Sequence, residues 1–549
     1  MNHSNTPYSF LVIARIRVPL FALLAFTMIS LAVKAQPIFT RTTFNAPYTP
    51  ITIGGGATSS IATGDNVNET GIPIGFSFDY AGIIYTTIGL STNGVAWFDA
   101  VAPATTVGNV NMVTTSGPNQ SLAPWFNNLI DDASSDILYQ TQGSAGSRTF
   151  TLQYTNYPTY TGTPGSNVRM NCQIILYETT NVVEFRYGTL NVTGGQTTSG
   201  GAMIGIEWGT GGHNKFIDAV TGSSIVNNRM LSPLGDWPAY NFRFTPGAPP
   251  IIPSGTYNVG VGQTYNSLSQ AVADVNHCGI SGAVTLNLTD AQYDTTASNG
   301  SNRFPLFIAT PNSSAVNQLT ISKTGTAATL AYRGSNISAS GAGYGTGVST
   351  GALSHDQVPL LAVCASYTTI SNVNLKTHGT TPQQVEIGLA VFELLASQGA
   401  QHNMFDKISI DLDRNHGGSY GIASFSTTSP GGLAGSNSYN TYRDINIKDC
   451  NYGISLSAPN NATGPADEGN QIITSSCNVF NYIGDPNVPD DIISGEPEGI
   501  AINGQSNFTI RNCIIQNITA TSWYSTSGIY VTNSFGSNEI SNNIIRTIR

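Results

Sequence analysis

The sequence predicts an all-β protein in two parts, a β-sandwich followed by a parallel β-helix. Only 9% of its 549 residues are charged while Gly alone contributes 58, a balance that favours short strands and turns over long surface helices. Residues 37–246 alternate apolar and polar side chains with period two. Beyond residue 255 two short apolar segments return in constant order about every 30 residues, the mark of a coil built from stacked rungs.

At the N-terminus Arg15 and Arg17 precede the apolar run VPLFALLAFTMISLAV, which ends in VKAQ. Residues 1–35 therefore read as a secretory signal peptide cleaved before Gln36, with Val33 and Ala35 in the two small-residue positions of the cleavage site. No later apolar stretch approaches the ~18 residues of a membrane span. The chain is thus expected to be secreted or held at the outer cell surface, with no transmembrane segment once the signal is removed. Its 21 basic and 31 acidic residues give a net charge of −10, with no Lys/Arg cluster after residue 36, which excludes nucleic acid as a partner. Six cysteines in a chain of this length do not make a disulfide scaffold.

The front part, 37–246, follows hairpin grammar. In IGLSTNGVAWF the pair Asn93-Gly94 supplies the left-handed conformations of a tight turn. In VRMNCQIILYE the residues Val168, Met170, Cys172, Ile174 and Leu176 share one face, which makes Cys172 a core thiol. Such strands, with SRTFTLQYTNY and GAMIGIEWG, pattern a sandwich. The Pro-rich stretch TPGAPPIIPSG contains the linker, 247–255, because its four prolines cannot continue a central strand.

Residues 256–549 repeat one frame. With Ile447 of YRDINIKDCNYGISL as anchor, apolar residues stand five and two positions before it and Cys450 three after. The same frame predicts an inward column of Leu375, Ile410, Ile447, Thr474, Ile510 and Ile540, so that NFTIRNCIIQNI and NEISNNIIRTI are successive rungs. Between anchors comes Gly followed by a short apolar strand: GLAVF at 388, GIASF at 421, GISL at 453, GIAI at 499 and GIYV at 528. The chain stops one strand into a rung, so an uncapped edge, and hence aggregation of an isolated coil, is expected, whereas 37–246 is expected to fold alone.

This coil resembles right-handed parallel β-helix proteins of the pectin-lyase-like kind. The likeness includes the segment GTYNVGVGQTYNSLSQAVADVNHCGISGAVTLNL, where SLSQAVADVNH looks like the short amphipathic helix that caps the first coil. FSFDYAGIIYTTIGLSTNGVAWF, SLAPWFNNL and IILYETTNVVEFRYG resemble a sandwich module at the front of secreted multi-domain proteins of Bacteroidota, many exported by the type IX route. The C-terminal sorting domain of that route is not found here.

For chemistry, the column after the anchors reads Lys376, Asp411, Lys448, Ser475, Arg511 and Ser541, with His378, Asp413 and Arg414 beside it. Rungs ~4.8 Å apart would set Asp411 between two lysines. Resemblance to β-helix lyases and hydrolases implies calcium binding or proton transfer on such a face, making Asp411, Asp413, Arg414 and Lys448 the catalytic candidates. Lys376, Asp411, Lys448 and Arg511 are the binding candidates, and a purely structural charge ladder is the competing reading. Longer pectinesterase or polygalacturonase signatures are not present. The insertion DPNVPDDIISGEPEG offers Asp485, Asp490, Asp491, Glu496 and Glu498 as oxygen ligands for calcium, and Asp131, Asp132 and Asp136 form a weaker set. No other cofactor is implied. Cys450, Cys477 and Cys513 fall in one column, close enough to pair but expected as buried thiols, and Trp125 and Trp523 are expected to pack. The functional expectation is an adhesin-like scaffold whose coil binds a glycan or a neighbouring surface. The alternative is a polysaccharide lyase or glycoside hydrolase using the charged column.

Overall fold

The computed structural model describes residues 38–98, 119–159, 168–193, 202–209, 214–224, 237–296, 298, 300, 302–332, 358–377, 385–393, 398–413, 418–425, 435–458, 467–476, 479–487, 492–494, 497–521 and 526–549. The signal segment 1–35 lies outside them. Among the described residues the secondary structure is almost wholly strand, with one α-helix, Leu268–Cys278.

The front part is a sandwich of two antiparallel sheets. The eight-stranded sheet runs in space from Phe39–Phe44 through Asn241–Pro246, Val183–Tyr187, Val168–Tyr177, Thr149–Pro158 and Asp136–Gln142 to Thr58–Ser59, and its eighth strand, Asn191–Val192, also pairs with Val168–Tyr177. The six-stranded sheet runs from Phe216–Asp218 through Met203–Glu207, Ser121–Phe126, Val95–Trp97 and Ile83–Ser91 to Asn68–Tyr80. Period-two alternation turns Met170, Cys172, Ile174 and Leu176 inward against Phe78, Trp125, Tyr154 and Phe185. Buried tyrosines tie the sheets together, since Tyr154 donates to the Ser91 carbonyl and Tyr187 to the Pro124 carbonyl, each at 2.8 Å. Each hydroxyl thus keeps a partner when it leaves water.

The back part is a parallel β-helix. Its long sheet starts at Ile252–Val259, paired in parallel with Ile280–Leu288, so the coil begins inside the stretch that reads as linker. The five Gly-led segments, with two strands before them, form a second, seven-stranded sheet of 306–308, 358–363, 385–392, 420–425, 452–457, 498–503 and 527–532. Within a rung of the long sheet the chain bends at one residue in the left-handed region: Asn372, Lys407, Asp444, Asn512 and Asn542 have φ between 51° and 58°. Asparagine recurs there because its short polar side chain tolerates that conformation. Other asparagines carry a buried ladder, in which Asn440 Oδ1 accepts from Asn403 N and Asn470 Oδ1 from Asn440 N, at 3.0 and 2.9 Å. They satisfy backbone N–H groups at the corner just before the strands Met404–Asp411 and Thr441–Arg443.

The inward column differs from the one read in the sequence. Leu375, Ile410 and Ile447 stack as expected, but Ile447 pairs with Ile483, and the column continues through Ile515 and Ile545. Ile510 and Ile540 belong to the column of Phe405, Tyr442 and Ile472, five residues earlier in the rung. The frame slips because Ile473 and Asn481 are separated by seven residues where Arg443 and Asn446 are separated by two. Thr474 opens that insertion and anchors nothing. The same slip parts the thiols, since Cys513 pairs with Asn481 while Cys450 bridges to Ile492, and Cys477 lies outside the described residues.

The glycines of the second sheet face this column. A Cβ added at Gly388, Gly421, Gly453, Gly499 or Gly528 would lie within 2.6 Å of a methyl of Ile410, Ile447, Ile483, Ile515 or Ile545 respectively. Each glycine therefore marks a close approach, and the isoleucine of the next rung fills the space.

One helix joins the two parts. Its N-cap Ser267 accepts from Gln270 N, and its apolar face, Leu268, Ala271, Val272 and Val275, belongs to the coil core. Its other face covers the sandwich edge strand Phe39–Phe44. His277 Nε2 accepts the outward N–H of Arg41 at 2.8 Å, and Gln270 Nε2 donates to Thr43 Oγ1 at 3.3 Å. Arg41 is buried and reaches the Ala219 carbonyl and Asp274, the latter at 3.2 Å. Asn276 bridges the Thr221 and Phe307 carbonyls. The two cores are separate, but a buried polar seam joins them.

Gly421→Ala should lower stability by roughly 2 kcal/mol or more, the cost of overpacking a tight core, while Gly54→Ala, in open space, should leave it nearly unchanged; thermal unfolding of the two variants checks this. At His277 burial is the main cause of a pKa lowered to about 3, with the charge of Arg41 adding to it. Between the ordinary histidine value and 3 the unfolded chain takes up a proton that the folded chain refuses, so acidification through this window removes stability, by up to ~1.4 kcal/mol per pH unit. His277→Gln should flatten that part of the melting-temperature profile, and an unchanged slope would remove His277 from the account.

Candidate functional site

Alternation in Met404–Asp411 puts Ile408 and Ile410 inside the coil and leaves Asp411 on its outer surface. The parallel register places Asp411 beside Lys376 on one side and Lys448 on the other. Asp411 Oδ2 lies 2.9 Å from Lys376 Nζ and 3.3 Å from Lys448 Nζ. Burial pulls the Lys448 ammonium down, but Asp411, with help from Asp449 and Asp485, outweighs it and holds the pKa above its ordinary value. One carboxylate oxygen shared by two ammonium groups is committed as an acceptor.

Arg511 does not join this column. Because of the slipped frame it pairs with Ser541, five residues earlier in the rung, and the column below Lys448 continues with Gly484, Gln516 and Arg546, where Arg546 Nε donates to Gln516 Oε1 at 2.7 Å. A second charge pair, Asp406 with Arg443 at 2.7 Å, occupies the column in which Arg511 stands. Asp413 is half-buried and engaged, while His378 and Arg414 lie outside the described residues.

Of the acidic insertion, the described members Asp485 and Glu498 stand on different sides of one rung. Asp485 Oδ1 accepts from Asn487 N at 2.8 Å, and Glu498 stands in the second sheet beside Tyr452. Asp490, Asp491 and Glu496 lie outside the described residues. In the sandwich Asp132 forms a bidentate pair with Arg169, whose hydrogen bonds are the main cause holding its carboxyl well below the usual range. Asp131 accepts from Gly64 N and Asp136 from Ser59 Oγ, so the three carboxylates do not converge. Among the described residues no group of three His, Cys, Asp or Glu side chains is placed to hold a metal ion.

Two features have no counterpart in the candidate residues read from the sequence. Tyr367, His402 and Tyr439 all have positive φ and stack along the coil, with ring centroids 4.8 and 5.0 Å apart and planes within 18°. Their signal was a turn residue set directly before Thr368, Asn403 and Asn440 at rung spacing. On the second sheet Tyr420 and Tyr452 stack at 4.6 Å, and their column runs into Glu498. Beside it lies a trough of about 290 Å³, with Ser455 and Ala501 on its floor and Tyr530, Ser457, Asn503 and Asn533 around it. Asn533 Nδ2 donates to Asn503 Oδ1 at 2.8 Å, and Asn503 Nδ2 to Ser457 Oγ at 3.4 Å, so the amides are held in order. Tyr530 is 48% exposed. Trp125 is buried against Trp237, as expected, and Trp523 lies outside the described residues.

Asp411→Asn should lower stability by about 1 kcal/mol or less, the scale of a partly exposed ion pair, and uncouple Lys376 from Lys448. The raised Lys448 pKa means that its contribution is complete below the unfolded lysine value of about 10.4 and is lost as pH rises through the higher folded value. A double-mutant cycle of Lys448→Met with Asp411→Asn, run at about pH 7 and at increasing alkaline pH, should show coupling that is full near pH 7 and declines as the pH rises past the unfolded lysine value.

A family model described as NIDO related matches residues 38–245. No curated protein matches the chain. Among solved structures, pectin methylesterase PemA from Erwinia chrysanthemi is similar at 11% identity, with a TM-score of 0.23, over 52% of this chain and 92% of that one. A pectin methylesterase in complex with a hexasaccharide is similar at 11% identity, with a TM-score of 0.22 and the same coverage. Likeness at this level carries no argument about activity, and the parallel β-helix rests on the strand pairing described above.

Proposed function

We propose that the protein is a secreted or cell-surface binding scaffold whose coil holds an extracellular glycan along the outer face of the second sheet. The observation that carries this reading is the trough at Tyr530. An exposed aromatic ring, a floor of small residues and an ordered row of amides suit the apolar face and the hydroxyls of a sugar ring. Glu498 and the Tyr420–Tyr452 stack extend the same face over neighbouring rungs. Binding is favoured over depolymerisation because Asp411 Oδ2 is already engaged by two ammonium groups, at 2.9 and 3.3 Å, so the oxygen that a general base would use is occupied. In this reading residues 1–35 direct export, and the sandwich is an accessory module.

A glycan array probed with the full chain should give binding. Tyr530→Ala and Asn503→Ala should each weaken it roughly tenfold, as expected for losing ~1–1.5 kcal/mol of stacking or hydrogen bonding. Lys376→Ala should leave it unchanged. Silence across the array, or depolymerisation of a bound polysaccharide that Asp411→Asn abolishes without unfolding, would reject the reading.

A further inference from the structure

The sandwich carries a second polar trough, of about 330 Å³, on the outer face of its eight-stranded sheet. One wall is the segment 49–55, strapped across the strands by glutamines. Gln153 exchanges two hydrogen bonds with the backbone of Ile51, Gln173 Nε2 donates to Thr49 O at 2.8 Å, and Gln140 Nε2 to Gly55 O at 2.6 Å. The floor is Thr151 and Ile175, each 7% exposed. Gln142, Thr149, Tyr177 and Arg186 close the other side. A wall fixed by four side-chain bonds makes this a preformed depression.

Its charge is unbalanced. Glu184, almost fully buried, is shared by Arg186 at 2.8 Å and Arg243 at 2.5 Å, two guanidinium groups against one carboxylate. Both guanidiniums also lie over the ring of Phe44, and the Tyr177 hydroxyl accepts from Arg186 Nη2 at 3.0 Å. The cluster is rigid and keeps one net positive charge at the rim of a trough otherwise lined with amides and hydroxyls. A planar, pre-ordered guanidinium is suited to a carboxylate, and Gln142, Thr149 and Thr151 to hydroxyls.

We propose that this trough binds an acidic saccharide, with the carboxylate of a uronate facing Arg186 and its ring hydroxyls over Thr151 and Gln142. The proposal rests on the reading that the protein meets glycans, but it uses a site separate from the coil. Calorimetric titration of the full chain with a tri-uronate should show binding that weakens with salt, and a neutral trisaccharide should bind at least tenfold more weakly. Gln142→Glu places a like charge at an exposed rim position and should reduce uronate affinity tenfold or more with the melting temperature unchanged. Arg186→Lys, which keeps the charge but loses the planar fork, should reduce it less. Uronate binding untouched by Gln142→Glu but lost in Tyr530→Ala would overturn this proposal and leave the coil reading standing. Absence of uronate binding would overturn it as well, and the glycan array with Tyr530→Ala then judges the coil reading separately.

Discussion

The coil depends on one repeated contact, an isoleucine methyl seated against a glycine that has no side chain to offer. At five successive rungs, from Gly388 to Gly528, the long sheet and the second sheet approach so closely that the space holds one branched side chain, and the next rung supplies it. Fully burying such a side chain is worth ~1.5–3 kcal/mol, and stacking repeats the gain down the column. Order in the rest of the rung follows from it. The inward residue fixes the alternation, the alternation turns Asp411 outward, and the parallel register brings Lys376 and Lys448 alongside.

The polar surface answers a different constraint, that every backbone group at a corner needs a partner. The asparagine ladder meets it inside and the left-handed bend residues meet it at the hinge. Side chains that stand at equivalent corners are then stacked whether or not a ligand uses them, which is why Tyr367, His402 and Tyr439 form a column. A regular coil thus produces ladders of like residues as a by-product. A binding site has to be recognised by departure from the ladder, and the exposed ring at Tyr530 beside a floor of Ser455 and Ala501 is such a departure.

Much of this architecture was legible because its periods are short. Alternation in 168–177 and the Gly-led segments at rung spacing identified both halves, and Lys376, Asp411 and Lys448 fell into register because their rungs have equal bends. Legibility ended where a bend changed length. Seven residues between Ile473 and Asn481 shifted every later position by one column, which carried Arg511 and Cys513 with it. The seam had no local signal at all, since Arg41 and Asp274 are 233 residues apart and nothing near either announces the other. The sandwich trough was hidden for a related reason, because its wall and floor come from segments about a hundred residues apart.

The unequal rungs have a kinetic meaning. Asn403 meets Asn440 across 37 residues, Asn440 meets Asn470 across 30, and Asn372 reaches Lys323 across 49. Closing a loop costs free energy that grows only as the logarithm of its length, about 0.6 kcal/mol per doubling, so a long excursion between rungs is nearly as easy to close as a short one. Every pairing in the coil also has a chain separation small against the whole length, which keeps contact order low for so large a parallel structure. Assembly can therefore propagate from any formed rung to its neighbour, as in a one-dimensional chain of coupled units, and excursions between strands can change in length without altering the order in which the coil winds.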